Sequence, residues 1–190
     1  MKRRLVLLGA FGIFVWALSA RSAEPAAAPT GFRAEFIAEA DSVGKKLTDL
    51  ANAMPQEKYS WRPAPGIRSV SEVYVHVAGA GYLIPSFLGV KIPEGITRDM
   101  EKTVTEKARV LDTLKKSLEH VKSVAANMSD ADLDKKVKIF GGREVTQRAV
   151  MVLILNHMHE HLGQSIAYAR MNGVAPPWSE GGEPAPAKKS

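Results

Sequence analysis

Three of the five histidines in this chain fall within five positions of one stretch, Asn156-His157-Met158-His159-Glu160-His161-Leu162-Gly163-Gln164. His157 and His161 are four residues apart, so on a helix they stack one turn above the other on one face. Two imidazoles placed in this way can point at one metal ion, and a third ligand must come from elsewhere. His76 is the best-placed candidate, because it also sits in a helical pattern between apolar residues. The pattern is not the His-Glu-x-x-His of metalloproteases, since Met158 stands where the glutamate belongs. His159 lies about 200° around a helix from His157 and faces away. Glu160 borders the histidine face, as an acceptor behind a ligand, an exposed charge or a fourth ligand. The competing reading of the pair is a set of hydrogen-bonded core histidines with no metal.

Four helical segments must position these residues. The first runs from about Gly31 to Met54, with Phe32, Phe36, Ala40, Val43, Leu47, Leu50 and Met54 at three- and four-residue steps. Pro55 stops it, and Pro63, Pro65 and Gly66 mark a loop in which Trp61 is an anchor. The second opens at Ser69, where Ser69-Val70-Ser71-Glu72 fits a capping box, and Pro85 kinks or ends it. The third spans about Thr97 to Met128, with Val104, Ala108, Leu111, Leu118, Val121 and Ala125 as its stripe. His120 lies off that stripe and reads as a solvated surface residue.

The fourth segment spans about Thr146 to Asn172. Its Ala149–Leu155 run is apolar all round, so periodicity alone also fits a strand. The continuing Ile166, Tyr168 and Ala169 pattern favours one long, deeply buried helix, with Gly173 behind it and Pro176-Pro177 barring continuation. Four helices of 20 to 30 residues with little strand pattern predict an all-α protein, a four-helix bundle.

The front end sets the expected location. A basic Met-Lys-Arg-Arg start, an apolar run from Leu5 to Ala20 and small residues to Ala23 read as a secretory signal peptide over residues 1–23. The run is short for a membrane span, which needs about 20 residues. An uncleaved anchor is the other reading. Residues 24–30 read as a flexible leader, 31–178 as the folded bundle and 179–190 as a disordered tail. The expected location is periplasmic or secreted, with no stable membrane span once the leader is removed.

The formal net charge of +6 belongs largely to that leader. Lys2, Arg3, Arg4 and Arg21 leave with it, so 22 of the 26 basic residues stay against 20 acidic ones. No basic stripe with interleaved aromatics is visible, so nucleic acid is not an expected partner. The absence of cysteine excludes disulfides, thiolate catalysis and cysteine zinc sites.

His157-x-x-x-His161-x-Gly163-Gln164-x-x-x-Tyr168-x-Arg170-x-x-Gly173-x-x-Pro176-Pro177 resembles the last helix of the DinB/YfiT-like superfamily. Tyr59-Ser60-Trp61-Arg62-Pro63, followed by Arg68-Ser69-Val70-x-Glu72-x-x-x-His76-Val77-Ala78, resembles the approach to that family's second helix. The resemblance covers about Phe32 to Trp178. It implies a four-helix bundle with a divalent metal held by one histidine of the second helix and two of the last, here His76, His157 and His161. It also implies chemistry that varies between members, some being thiol-dependent transferases or hydrolases. Members are mostly cytoplasmic, and the signal peptide departs from that.

Three neutral imidazoles would leave a divalent ion its full charge and an open position for water or a thiolate. Water bound there would be acidified into a nucleophile. Zinc and nickel suit such ligands first, then iron or copper. Gln164 either orients a ligand or is simply satisfied by backbone or water. Gly163 is expected to permit close helix approach. Tyr74, Tyr82 and Tyr168 line a cavity mouth or pack between helices. Two function classes follow. One is a metal-dependent hydrolase or transferase acting on a small-molecule substrate. The other is a non-catalytic, stress-associated metal-binding bundle. Neither a general base beside the triad nor a nucleophilic serine motif is evident. Whether two bundles pair as a homodimer through an apolar helix face is open.

Overall fold

Apolar residues at helical steps carry α1 (Gly31–Ala53), which buries Phe36, Ala40, Val43, Leu47 and Leu50 along one stripe. The computed structural model describes residues 28–179. The expected signal peptide, the first part of the leader and the tail from Glu180 lie outside the described residues. After the Pro55–Arg68 loop comes α2 (Val70–Leu83), then a 3-10 turn over Ile84–Leu88. Pro85 accounts for the change, since it has no N–H to continue the α-helical ladder. A one-turn helix α3 (Met100–Thr103) precedes α4 (Lys107–Asn127). Strands β1 (Lys136–Lys138) and β2 (Glu144–Thr146) lead into α5 (Gln147–Met171).

The all-α expectation holds. Helix α1 packs on α4 and α5, and α2 packs on the same two, so the long helices form a ring in the order α1, α4, α2, α5. The core fills the middle of that ring, with Leu47, Leu50, Val110, Leu114, Val150 and Ala169 fully enclosed. Glycine sets the closest approach. A Cβ on Gly81 would collide with the Ser117 hydroxyl of α4, which itself donates to the Ala78 carbonyl at 2.7 Å.

Several expectations are corrected. The third segment is not one helix: Val104 turns extended (φ −96°, ψ 92°) and buries its side chain, and α4 restarts at Lys107. The Thr103-Val104-Thr105 run explains the break, because β-branched side chains lose rotamer freedom in a helix. The stripe of α4 accordingly centres on Val110, Leu114, Ser117, Val121 and Val124, while Ala108 is exposed. At 14 residues α2 is shorter than expected. Helix α5 is not buried all round, since Ala149 and Val152 face solvent.

Strands β1 and β2 were not expected. Val137 pairs with Val145 in an antiparallel hairpin, and Gly141 and Gly142 supply its turn at φ 68° and 76°. Gly163 is not at a close approach: it is exposed, and a Cβ there would meet nothing within 4 Å. Nor is His120 solvated. It is partly buried with its ring 5.0 Å from Tyr82, and its Nε2 is enclosed without a partner among the described residues. Burial pushes its pKa down.

Candidate metal centre

The two helices that carry the histidines are tied down at their first turns. A helix leaves its first backbone N–H groups without internal partners. In α2, Val70 N–H donates to Trp61 O at 3.0 Å, Ser71 N–H to Tyr59 O at 2.9 Å and Glu72 N–H to Ser69 Oγ at 3.3 Å. The expected capping box is complete, because Ser69 N–H donates back to Glu72 Oε2 at 2.7 Å. In α5, Gln147 N–H donates to Lys135 O, Arg148 N–H to Leu133 O (both 2.9 Å) and Ala149 N–H to Thr146 Oγ1 at 3.1 Å. All three leading amides are thus satisfied in each helix. Trp61 packs edge-on against Tyr168 at 5.3 Å, which joins the loop before α2 to α5.

His76 from the second turn of α2 meets His157 and His161 from the middle of α5. One ligating nitrogen from each lies within 4.8 Å of the other two, and ring centroids are 4.5 to 5.0 Å apart. Hydrogen bonds decide which nitrogens face inward. The Tyr168 hydroxyl donates to the Arg68 carbonyl at 3.1 Å, so its oxygen accepts from Gln164 Nε2 at 3.0 Å. Gln164 therefore presents Oε1 to His161, whose Nδ1–H donates to it at 2.8 Å. The Nε2 of His161 is left bare.

Glu101, from α3, plays the matching part for His76. Burial works against its charge, but Arg68 Nε at 2.9 Å and His76 overrule that and hold its pKa below the usual carboxylate range. An ionised carboxylate only accepts, so His76 Nδ1–H donates to Glu101 Oε1 at 2.7 Å, which leaves Nε2 as the nitrogen turned towards the other two histidines. His157 Nε2 stands 3.1 Å from His76 Nε2. Two imidazole nitrogens on one tetrahedral ion with bonds near 2.0 Å stand roughly 3.3 Å apart. Burial first, then the neighbouring His161 and His76, push the His157 pKa down to about 4, and burial also lowers that of His161. Both shifts favour the neutral ring, the form that has a lone pair to offer. Three histidines this close can hold a metal ion, and the residues present fit one.

A family model described as the DinB superfamily matches residues 39–165, about two thirds of the chain. The chain belongs to the DinB superfamily. An uncharacterised protein of Bacillus subtilis (strain 168), YjoA, is 26% identical over 128 residues, spanning 66% of this chain and 80% of that protein. The crystal structure of a DinB-like protein from Bacillus cereus superposes with a TM-score of 0.61 at 22% identity, covering 77% of this chain and 93% of that one. That of the B. subtilis DinB-like protein YjoA gives 0.59 at 20% identity, over 73% and 92%. A conserved Enterococcus faecalis protein gives 0.59 at 17% identity, over 75% and 98%. At these identities the solved structures show the DinB-like fold.

The other candidates divide plainly. His159 is exposed, pairing with Glu39 at 3.1 Å on the face opposite the triad. Glu160 is an exposed charge and not among the converging ligands. Tyr74 is buried in the core, Tyr82 covers His120, and Tyr168 ends the Gln164 chain, so packing and hydrogen bonding account for all three. Gln164 is hydrogen-bonded to His161 Nδ1 and Tyr168 and so fixes the orientation of the His161 ring. Two members of this DinB site had no role assigned from sequence, Glu101 and Arg68. Glu101 lies 25 residues from His76, in a segment read as ordinary amphipathic helix, and no spacing marks it.

Proposed function

We propose that this chain is an exported metal protein that holds one divalent ion, zinc or nickel foremost, through Nε2 of His76, His157 and His161. We infer further that it is a hydrolase or transferase acting on a small-molecule substrate. The observation that carries the reading is the pair of hydrogen-bond chains, Glu101 to His76 and Tyr168–Gln164 to His161. Each uses up an Nδ1 and leaves an Nε2 lone pair turned to the same point as His157.

The ion, when bound, supplies Lewis-acid activation of water or a thiol at the position its three protein ligands leave open. The chain's own residues do the rest. Glu101 and Gln164 fix two rings in the ligating tautomer. Arg68 keeps Glu101 ionised and brings a guanidinium beside the site. Export rests on the leader-like sequence of residues 1–23, and 31–178 is then the working bundle. No helix among the described residues is long and apolar enough to cross a membrane.

A non-catalytic reading has one observation in its favour: the ligands come from two helices, so an ion would tie α2 to α5. An open coordination position separates the two. Cobalt(II)-loaded protein titrated with azide is expected to change its visible absorption bands as azide enters that position. An unaltered spectrum at saturating azide contradicts the catalytic reading and leaves the ion as a tie between helices.

A further inference from the structure

Beside the triad, α2 and the loop after it enclose an open cleft of about 580 Å³ with His76 and Glu101 on its wall. That volume lies within the range of sites for small organic molecules. Part of the lining is apolar: Leu83, whose side chain is exposed in a folded helix, and Ile92 and Ile96 of the loop. Gly79 also lines the cleft, three residues beyond His76. A Cβ added there meets nothing within 4 Å. Glycine in a helix interior is unfavourable relative to alanine, and here no neighbouring helix requires it. The space over Gly79 belongs to the cleft.

The lining also carries three cations, Arg68, Arg98 and Lys102. Arg68 is paired with Glu101 and Lys102 with Glu72. Arg98 is exposed and has no carboxylate partner among the described residues. Together with the adjoining recess that holds Arg62 and Glu72, the lining carries four cations against two carboxylates. The field over the cleft therefore favours an anion.

We propose that this cleft binds a small amphipathic carboxylate, with its aliphatic body against Leu83, Ile92 and Ile96 and its carboxylate on Arg98. The proposal names a substrate class for the metal-enzyme reading and rests on that reading for the chemistry. The binding itself rests on the cleft alone. An occupant lies against the wall formed by His76 and Glu101.

The test is calorimetric titration of the full chain, metal-free and zinc-loaded, with octanoate, acetate and octylammonium. Octanoate is expected to bind one site in both forms, acetate at least about 10-fold more weakly for want of the tail, and octylammonium not at all. Arg98→Gln should weaken octanoate about 10-fold through loss of one charge-assisted hydrogen bond. Gly79→Leu should abolish binding by filling the cleft. Zinc content of both variants should match the parent, and neither should melt below it. No octanoate binding by the parent chain overturns the proposal, as does equal binding by both variants or equal binding of octylammonium. Octanoate binding without zinc uptake upholds the cleft and removes the metal reading. Zinc uptake without octanoate binding does the reverse.

Discussion

Gln164 does for His161 what Glu101 does for His76: each accepts from Nδ1–H and leaves Nε2 to point inward. Partners behind metal-ligating histidines typically contribute 10- to 100-fold to affinity. Gln164→Leu is therefore expected to weaken zinc binding by about 10- to 100-fold with His161 still present, as read by competition with a chromogenic chelator. Unchanged affinity would mean that the chain from Tyr168 has no hold on the ligand. The histidines themselves were legible, because an i, i+4 pair and a lone histidine on an apolar face are visible as spacing. Their partners were not. The amide orientation of Gln164 depends on Tyr168 and the Arg68 carbonyl, 100 residues apart in the chain. Glu101 reaches His76 only because Val104 breaks the expected long helix and frees a single turn to fold back over α2.

Helix α2 brings one ligand, and its first turn is the element on which that ligand depends. Glu72 closes the capping box and also accepts from Lys102 at 2.8 Å and Arg62 at 3.2 Å. Burial alone would raise its pKa, but Lys102, the Ser69 N–H and Arg62 hold it down at about 2. A carboxylate depressed in the folded state contributes stability that is present above its unfolded pKa near 4.5. That stability is lost as pH falls through about 2, and amounts to about 3 kcal/mol at most. Acid unfolding of the parent should therefore steepen below pH 4.5, and Glu72→Gln should flatten that slope in urea titrations at stepped pH. Ser69→Ala should destabilise by about 1 kcal/mol through loss of the same cap.

The glycines make a second contrast between elements. Gly81→Ala drives a methyl into Ser117 and should destabilise by about 1–3 kcal/mol. Gly163→Ala, in open helix, should stabilise by about 0.5–1 kcal/mol. Denaturant midpoints distinguish the two, and the same sign for both would contradict the packing described here. The capping box was legible because its residues are contiguous. The hairpin was missed because its strands are three residues each, below the length at which alternation registers, although Val137, Ile139 and the Gly141-Gly142 turn are in place.

At the scale of the molecule, the bundle was legible from periodicity alone, whereas its ring order depends on contacts remote in sequence. Placing α2 and α5 side by side is what brings residue 76 to residues 157 and 161. An ion there would bind the native state and not the unfolded chain. Zinc at 100 times its dissociation constant should then add about 2.7 kcal/mol, and chelation should lower the melting temperature correspondingly. An unchanged melting temperature after verified metal removal would contradict the coupling of metal to fold. The most direct test is elemental analysis of the protein, purified without a histidine tag and loaded with zinc or nickel, beside its His76→Ala, His161→Ala and His159→Ala variants. One metal per chain is expected in the parent and in His159→Ala, and none in the other two. Full metal retained by His76→Ala, or none taken up by the parent, would contradict the three-histidine site.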